Sequence, residues 1–600
     1  RSGVAKTFLH VSSCFPRKGI DVLLTAWSRA FSDTDAVELI IKTFPNPHNN
    51  VEAQVAELRR RHPRLAPIKI INKDIPPAEL VDLFRTSDVM VLPTRGEGYN
   101  LPAMEALAAG LPLIVTGHGG HMDFCGPNEA RLLDYEFQMS ESHVKEGVSC
   151  WVNPSVEDLA EALREQARPE RQAEIEARRI QGRLTARKVT DPLRWSATIS
   201  EFARTMLGPV DLGPVRTNWI STWAVRCGIA EYSRYLFEHM SSAARVEMTM
   251  LADDRVLEAP ESDEVRRLAA WRTGGNFSVE RMLEVIAQED AEAVVIQHQD
   301  GLISWPDLAR LGMADEFAER VSVVTLHTVR SLALLSEDDR RFVLNGLSRF
   351  DRILVHTVGD LNELKQWGLV DNVALLPHGA LRPTTAGPVI RELSSTSAPV
   401  IGCHGFFFDH KRIDNLIRAA AKLKTQWPSL RLRLVNARFP GGISDTAINH
   451  AERVAREVGM MKDIEWHTEF LSIEKIQGLL SNCDLLVLPY DETGDSVSGA
   501  VRVAMSSLSP LLATPVKIFS DVAEAVSLVE DNDPDALALA IQKLLDSPNE
   551  RLRVQKSMAH WLEIHDWNRI AATLEGMIKA LAIERRLSRG RDDHAMIAAE

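Results

Sequence analysis

The sequence predicts an α/β protein built from doubly wound parallel sheets, and three observations carry that prediction. Short unbroken apolar runs alternate with amphipathic helical patterns along the 600 residues, as strands covered by helices on both faces do. The order of those runs at the start of the chain recurs in its last third. The composition, 45% hydrophobic and 25% charged with 33 Gly and 29 Pro spread throughout, is that of soluble globular domains. It excludes long disorder, collagen-like repeats and a coiled-coil rod. At roughly 100–200 residues per domain, about three to five domains are expected.

The first segment reads FLHVSS (8–13), helical IDVLLTAWSRAF (20–31), VELIIKTF (37–44), IKIIN (68–72) and a helix around AELVDLFRTS (78–87). DVMVLP (88–93), a helix PAMEALAAG (102–110) and LPLIVTG (111–117) follow. A helix entered at Asn153-Pro154 and another holding Trp195 close the segment; proline just inside a helix start supports such boundaries. The last third parallels this order. PVIGCHGFFFDHKRIDNLIRAAAKL (399–423) matches 7–31, IQGLLSNCDLLVLPYDETGDS (476–496) matches 80–98, and SPLLATP (509–515) matches 111–117. Asp533-Pro534 and Trp567 recur as Asn153-Pro154 and Trp195 do. Lys18 to Lys411 and Pro93 to Pro489 are offsets of 393 and 396. This is a duplicated domain, far longer than a solenoid repeat. Between the copies, NWIST, AVVIQHQ, VSVVTLH, FDRILVHT and NVALLPHG mark a third α/β unit that repeats neither neighbour. The division is 1–207, 208–395 and 396–600. The chain opens RSGVAKTFLHV, directly before a strand, and reads as a piece of something longer.

Lys plus Arg number 69 against 83 Asp plus Glu, a net −14, which is a poor match for a nucleic acid or an anionic bilayer. Cys14, Cys125, Cys150, Cys227, Cys403 and Cys483 form no CxxC and no close cluster. That argues against a disulfide framework or structural zinc and for a reducing cytoplasm. No apolar run approaches the roughly 18 residues of a membrane span.

Three loops at strand ends carry candidate chemistry. In PTRGEGYNLPAMEALAAG (93–110) a glycine-bearing loop leads into a helix started by Pro102. Helix N-termini receive phosphate, Glu97 can accept hydrogen bonds from sugar hydroxyls, and Glu105 can take both hydroxyls of a ribose. Gly98, Tyr99, Asn100 and Leu101 complete the donor-binding candidates there. In SSCFPRKGID (12–21), Arg17 and Lys18 stand where cations neutralise a diphosphate, at the sheet edge where such folds bind ligands. In TGHGGHMDF (116–124), Gly119 and Gly120 permit close backbone approach. His118 and His121 lack a third ligand at metal-like spacing, so no metal site is expected.

Lys18-Gly followed by E-G-Y-N-L-P-A-M-E, with two Glu eight apart, resembles the nucleotide-sugar domain of family-4 retaining glycosyltransferases. The resemblance implies the GT-B architecture, two Rossmann-like domains facing across a cleft. It assigns Glu97 to the donor sugar, Glu105 to the ribose and Lys18 to the diphosphate. The family often has Arg five residues before the Lys, where this chain has Ser13; neutralisation then rests on Lys18 with Arg17. The middle unit resembles the family's acceptor-side domain, through WAVRCGIAEYSRYL (223–236) with Gly228, VVTLHT (323–328), ILVHT and LLPHGA. His327 is the expected cleft residue near the transferred sugar. The first donor domain is expected to have its acceptor domain outside this chain.

The second copy departs from the pattern. Lys411 keeps the lysine, but in YDETGDSVSGAVRVAM (490–505) Asp495 replaces the first Glu and Val503 the second. Ser496 and Ser498 can offer hydroxyls to phosphate. The implied activity is retaining transfer of a sugar, with mannose from GDP-mannose as the expected donor, to a growing cell-surface polysaccharide such as lipopolysaccharide. The acceptor is a glycan or lipid-linked glycan, and no cofactor or metal is needed. A cytoplasmic location follows, with peripheral association at the inner membrane or an assembly complex. The rival reading is a degenerate, non-catalytic pair serving as scaffold or glycan-binding element. A NAD-dependent dehydrogenase fits poorly, because no GxGxxG follows an early strand.

Overall fold

The computed structural model describes residues 5–141, 148–192, 195, 196, 198, 199, 213–223, 225, 227–254, 265–271, 277–383, 387–439 and 442–597, of which 587–597 as backbone alone. The chain forms two compact units, Arg1–Pro209 and Val210–Glu600. The expected 207/208 boundary lies outside the described residues.

The first unit is one doubly wound domain. Its strands β1 (Lys6–Val11), β2 (Val37–Thr43), β3 (Ile68–Asn72), β4 (Val89–Leu92), β5 (Leu113–Thr116) and β6 (Arg131–Leu133) are all parallel, in the order β3-β2-β1-β4-β5-β6. Apolar side chains cover both faces. One core joins Phe8, Trp27 and Phe31, whose rings stand 5.0–5.6 Å apart; the other joins Leu9, Met90, Leu92 and Leu107. The switch in strand order falls between β1 and β4, so the loops after them, 12–19 and 93–100, meet at the carboxyl edge.

Several details differ from the sequence reading, which also had no place for β6 or for the helix Val51–Arg61. Strand β1 ends at Val11, leaving Ser12 and Ser13 to the loop. An antiparallel pair, β7 (Tyr135–Met139) with β8 (Cys150–Pro154), was not predicted. Asn153-Pro154 therefore ends a strand, and the next helix, Val156–Ala167, starts behind Ser155, whose hydroxyl accepts from Asp158 N–H. In the second copy Pro534 does open a helix, Pro534–Asp546, capped by Asp533.

The second unit holds two such sheets. The first has β9 (Thr217–Ile220), β10 (Met248–Asp253), β11 (Arg266–Trp271), β12 (Ala293–His298), β13 (Val321–Leu326), β14 (Arg352–Val355) and β15 (Val373–Leu375), in the order β11-β10-β9-β12-β13-β14-β15. The sequence reading had missed β10 and β11. The other has β16 (Val400–Phe406), β17 (Arg431–Ala437), β18 (Ile464–His467), β19 (Leu485–Leu488), β20 (Leu511–Ala513) and β21 (Ser527–Leu528), in the order β18-β17-β16-β19-β20-β21, which repeats the order of the first unit. Two Rossmann-like sheets in one compact unit, with a cleft lined by both, make the GT-B architecture. The final helix, Trp567–Ile597, follows the 396–600 sheet in sequence but packs elsewhere. Trp567, Ile570, Ala571, Leu574 and Ile578 join the core of the preceding domain around Trp219 and Tyr232. The expected division at 396 falls between β15 and β16, while the final helix packs on the sheet that precedes it.

Candidate functional site

In the first unit the two motif loops are tied into one assembly. The Arg95 guanidinium, nearly buried, makes a two-pronged ion pair with Asp21 (2.7 Å each) and donates to Pro16 O (2.9 Å). Its backbone N–H donates to Arg17 O (2.7 Å). Inside this frame Glu97 receives Lys18 Nζ at 2.5 Å and Arg17 at 3.2 Å, and the glutamate side chain is 6% exposed. The predicted diphosphate cations and the predicted sugar carboxylate are therefore together, and they neutralise one another. Gly120 N–H donates to Glu97 O (3.0 Å), and a Cβ on Gly120 would meet Gly98 O at 1.7 Å, so only glycine allows this approach. Gly119 adopts a left-handed φ of 121° beside it.

Asn100, at φ 67°, precedes the helix Leu101–Ala109; Leu101 is exposed, and Tyr99 leans on Phe124 at 5.0 Å. Glu105 lies one turn into that helix, where desolvation raises its carboxyl above the ordinary range. His121 is buried against Thr116 O (2.7 Å), while His118 packs on Tyr135 and Phe137. Among the described residues no three His, Cys, Asp or Glu side chains are grouped as a metal site.

The second unit contains a cleft of about 1530 Å³ lined by both of its domains. From the domain of β16–β21 come His410, Lys411, Asp495, Ser498, Arg502 and Val503; from the domain of β9–β15, Gly228, Tyr232, Tyr235, Asp253, His327 and His378. Lys411 is 8% exposed and stands 3.6 Å over the ring of Tyr490, whose hydroxyl donates to His404 O. Burial lowers the lysine from 10.5 to about 8, against the pull of the Asp495 charge. Gly228 begins the helix Gly228–His239, and nothing lies within 4 Å of where its Cβ would be. A cation and the start of a helix, whose Ala230 N–H is capped by Cys227 Sγ (3.4 Å), thus line one cleft from opposite domains. Val503 occupies the helix position equivalent to Glu105, half-buried in the cleft wall.

The two predicted serines already make hydrogen bonds. Ser496 Oγ donates to Asp360 Oδ1 (3.0 Å), and Ser498 Oγ caps its helix by accepting from Val501 N–H (3.3 Å). Donation to phosphate by Ser496 would require its bond to Asp360 to break, whereas Ser498, which only accepts, still has its O–H to donate. His327 is likewise engaged. The Leu376 carbonyl accepts from His356 Nδ1 (2.9 Å), so His356 Nε2 accepts from His327 Nδ1 (3.2 Å). His327 Nε2 then faces the Gln297 side-chain amide at 3.0 Å. Burial keeps these rings neutral, lowering His356 to about 4 and His327 well below its usual range. A proton-transfer role for His327 requires this chain of bonds to open.

A profile of the family described as Glycosyl transferases group 1 matches residues 5–166 and 398–547, together just over half of the sequence. The chain belongs to that family. The matched stretches are the two copies read from the sequence, and 167–397 lies outside them. Among curated relatives, the MMP α-(1→4)-mannosyltransferase of Mycolicibacterium hassiacum is 32% identical over 124 residues, 20% of this chain and 29% of that protein. The D-inositol 3-phosphate glycosyltransferase of Streptosporangium roseum is 32% identical over 121 residues, 19% and 28% of the two chains. The matches thus span less than a third of those relatives. Among solved structures, a sucrose-phosphate synthase from Thermosynechococcus elongatus aligns over 61% of this chain and 98% of its own, at 18% identity and a TM-score of 0.49. Anabaena HepE, solved with UDP and glucose, aligns over 61% and 99%, at 13% identity and a TM-score of 0.47.

Two features of this group 1 family member escaped the sequence reading. Arg95 stands inside the quoted motif but gave no sign of its partner, since Asp21 is a helix residue 74 positions away. In the second copy the same clasp is built with inverted charge. Asp491, where the first copy has Arg95, receives Arg412 (3.4 Å), which also holds Asp414 (3.2 Å). The second feature is Tyr490 beneath Lys411, a cation–π contact formed where the first copy has Thr94.

Proposed function

We propose that this protein transfers a sugar, with retention, from a nucleotide sugar to a glycan, and that the cleft within 210–600 is where transfer occurs. The observation that carries the proposal is that Lys411 and the helix start at Gly228 line one cleft, with room for close approach at the glycine. A buried cation and helix N–H groups stabilise charge building on a departing nucleoside diphosphate. Membership of the glycosyl transferases group 1 family supports the reaction class. Mannose from GDP-mannose is the proposed donor; a mannosyltransferase is among the partial relatives.

The proposed acceptor is a neutral glycan of a cell-surface polysaccharide. Tyr235, stacked on Trp567 at 5.4 Å, and Trp271 beside Phe277 offer apolar ring faces in the cleft wall. The cation on that wall among the described residues, Arg234, is held by Glu231 and Glu238 at 2.6 and 2.7 Å, which leaves little to recruit a phosphorylated acceptor. Among the described residues no helix is long and apolar enough to cross a membrane, and work at the cytoplasmic face of the inner membrane is proposed as peripheral.

The test offers the full chain a panel of nucleotide sugars with free and lipid-linked glycans, and reads product mass and anomeric configuration. Transfer from GDP-mannose that Lys411→Ala abolishes is expected. Transfer unaffected by that substitution, or products of inverted configuration, contradicts the proposal. A second reading is favoured by Val503, which removes a ribose carboxylate from this copy: a non-catalytic module that binds glycan. It predicts saccharide binding without any nucleoside diphosphate binding to the second unit.

A further inference from the structure

The loop that carries the altered acidic motif is anchored differently in the two copies. In the first, Glu97 is gripped by Lys18 and Arg17, and its carbonyl by Gly120 N–H, all within one domain. In the second, the middle of the loop takes its partners from the acceptor-side domain. Arg330 donates to Thr493 O (3.1 Å), Thr328 Oγ1 to Gly494 O (3.0 Å), and Ser496 Oγ to Asp360 Oδ1 (3.0 Å). An Arg330–Glu492 pair at 3.5 Å and a Lys517–Glu363 pair at 2.9 Å flank these bonds.

Asp360 is the firmest of these anchors. It is fully buried at the start of the helix Val358–Gln366, where its N–H donates to Thr357 Oγ1 (3.1 Å) and its Oδ2 accepts from that hydroxyl (2.8 Å). The reciprocal cap fixes the carboxyl before Ser496 arrives. Ser496 is itself 3% exposed, and a hydroxyl donating to a carboxylate is among the stronger neutral-to-charged bonds. Asp495 lies between Gly494 and Ser496, so its backbone is held from both sides while its side chain faces the cleft with Lys411 and His410.

We infer that Asp360, acting through Ser496 and helped by Thr328 and Arg330, is a positioning residue that sets Asp495 against the donor. The second copy thereby makes its donor site depend on the acceptor-side domain, whereas the first copy holds its own loop. This rests on the reading of 210–600 as a transferase cleft. A carboxylate displaced by about 1 Å from a reacting sugar costs on the order of a hundredfold in rate, which makes the anchor a plausible lever on turnover and leaves nucleotide affinity to Lys411 and Gly228.

The experiment uses the full chain and three variants, Ser496→Ala, Asp360→Ala and Asp360→Asn. GDP affinity is measured by calorimetry, kcat and KM with GDP-mannose, and amide hydrogen exchange over residues 491–498. Ser496→Ala and Asp360→Ala are expected to lower kcat by about tenfold to a hundredfold and to speed exchange of the loop by about tenfold or more. GDP affinity should stay within about twofold, because the lysine and helix start are untouched. Asp360→Asn keeps an acceptor oxygen for Ser496 and should recover most of both losses. Loop exchange unchanged in Ser496→Ala overturns the inference, as does a loss of GDP binding that tracks the loss of kcat, which would mark a merely structural role. If the wild-type chain transfers nothing, the proposed function fails, and the exchange of the loop decides the positioning by itself.

Discussion

Lys411 should make nucleotide binding by the second unit fall steeply with pH in a range where an ordinary lysine is silent. Its ammonium is 8% exposed and lies over the Tyr490 ring, and burial lowers it from 10.5 to about 8. If the charged form binds a nucleoside diphosphate, apparent affinity follows the protonated fraction. That fraction drops about thirtyfold between pH 7 and 9.5, some 2 kcal/mol at 1.36 kcal/mol per unit; an unperturbed lysine would lose only about a tenth of its charge. Calorimetric titration of GDP over that range, on a chain whose first site is silenced by Lys18→Ala, reads the slope directly. Lys411→Arg should flatten it, since guanidinium does not titrate there. The stability sign is fixed by the same shift. Folding disfavours the charged lysine, so the penalty is full below pH 8 and fades as pH rises from 8 to 10.5. Lys411→Met should therefore stabilise the fold at neutral pH, by at most roughly 3 kcal/mol, while weakening GDP binding. A flat affinity profile to pH 9.5, or the same slope in Lys411→Ala, refutes the reasoning.

Three further outcomes are expected. In a Lys411→Ala background, Glu97→Gln should tighten GDP binding to the first unit about tenfold, because Lys18 and Arg17 no longer have a carboxylate to neutralise them; calorimetry checks it, and Lys18→Ala should act oppositely. Val503→Glu should strengthen nucleotide binding by about 1–3 kcal/mol, if the new carboxylate reaches the ribose as Glu105 is placed to do, and a deoxyribose nucleotide should gain less. Transfer should persist in EDTA, since lysine and helix N-termini supply the positive charge; strict dependence on added manganese or magnesium, read in the same transfer assay, counts against the mechanism.

The fold was legible where a strand is an unbroken apolar run, whereas β10, MTMLAD, is buried throughout yet was missed because Thr249 and Asp253 interrupt its pattern. VMVL of β4 and LLVL of β19 are four-residue apolar runs with each residue buried, and alternation with helices then forces the parallel order. Edge strands divided: β3 and β15 were read from their apolar runs, whereas β11 reads RRLAAW, with Arg266 exposed and Trp271 half-buried, and offers neither a continuous run nor a clean alternation. Site legibility followed a similar division. Glu97 and Glu105 could be singled out because their spacing along one loop and helix is local, Lys18 because it lies in the other strand-end loop of the same sheet edge, and Asp495 and Val503 by carrying the eight-residue spacing to the second copy.

What spacing could not reveal was how each loop is held. The partners are distant in sequence: Asp21 for Arg95, Asp360 for Ser496, and His356 with Gln297 for His327. This matters for reading the second copy. From sequence its loop is a weakened version of the first, a shorter acid followed by serines. In the folded chain those serines are a clasp and a cap, and the acid sits between two bonds from another domain. On the proposed reading, the second copy lacks a ribose carboxylate and holds its loop through the domain across the cleft instead. Val503→Glu in an Asp360→Ala background should therefore strengthen nucleotide binding above the wild-type level without restoring turnover.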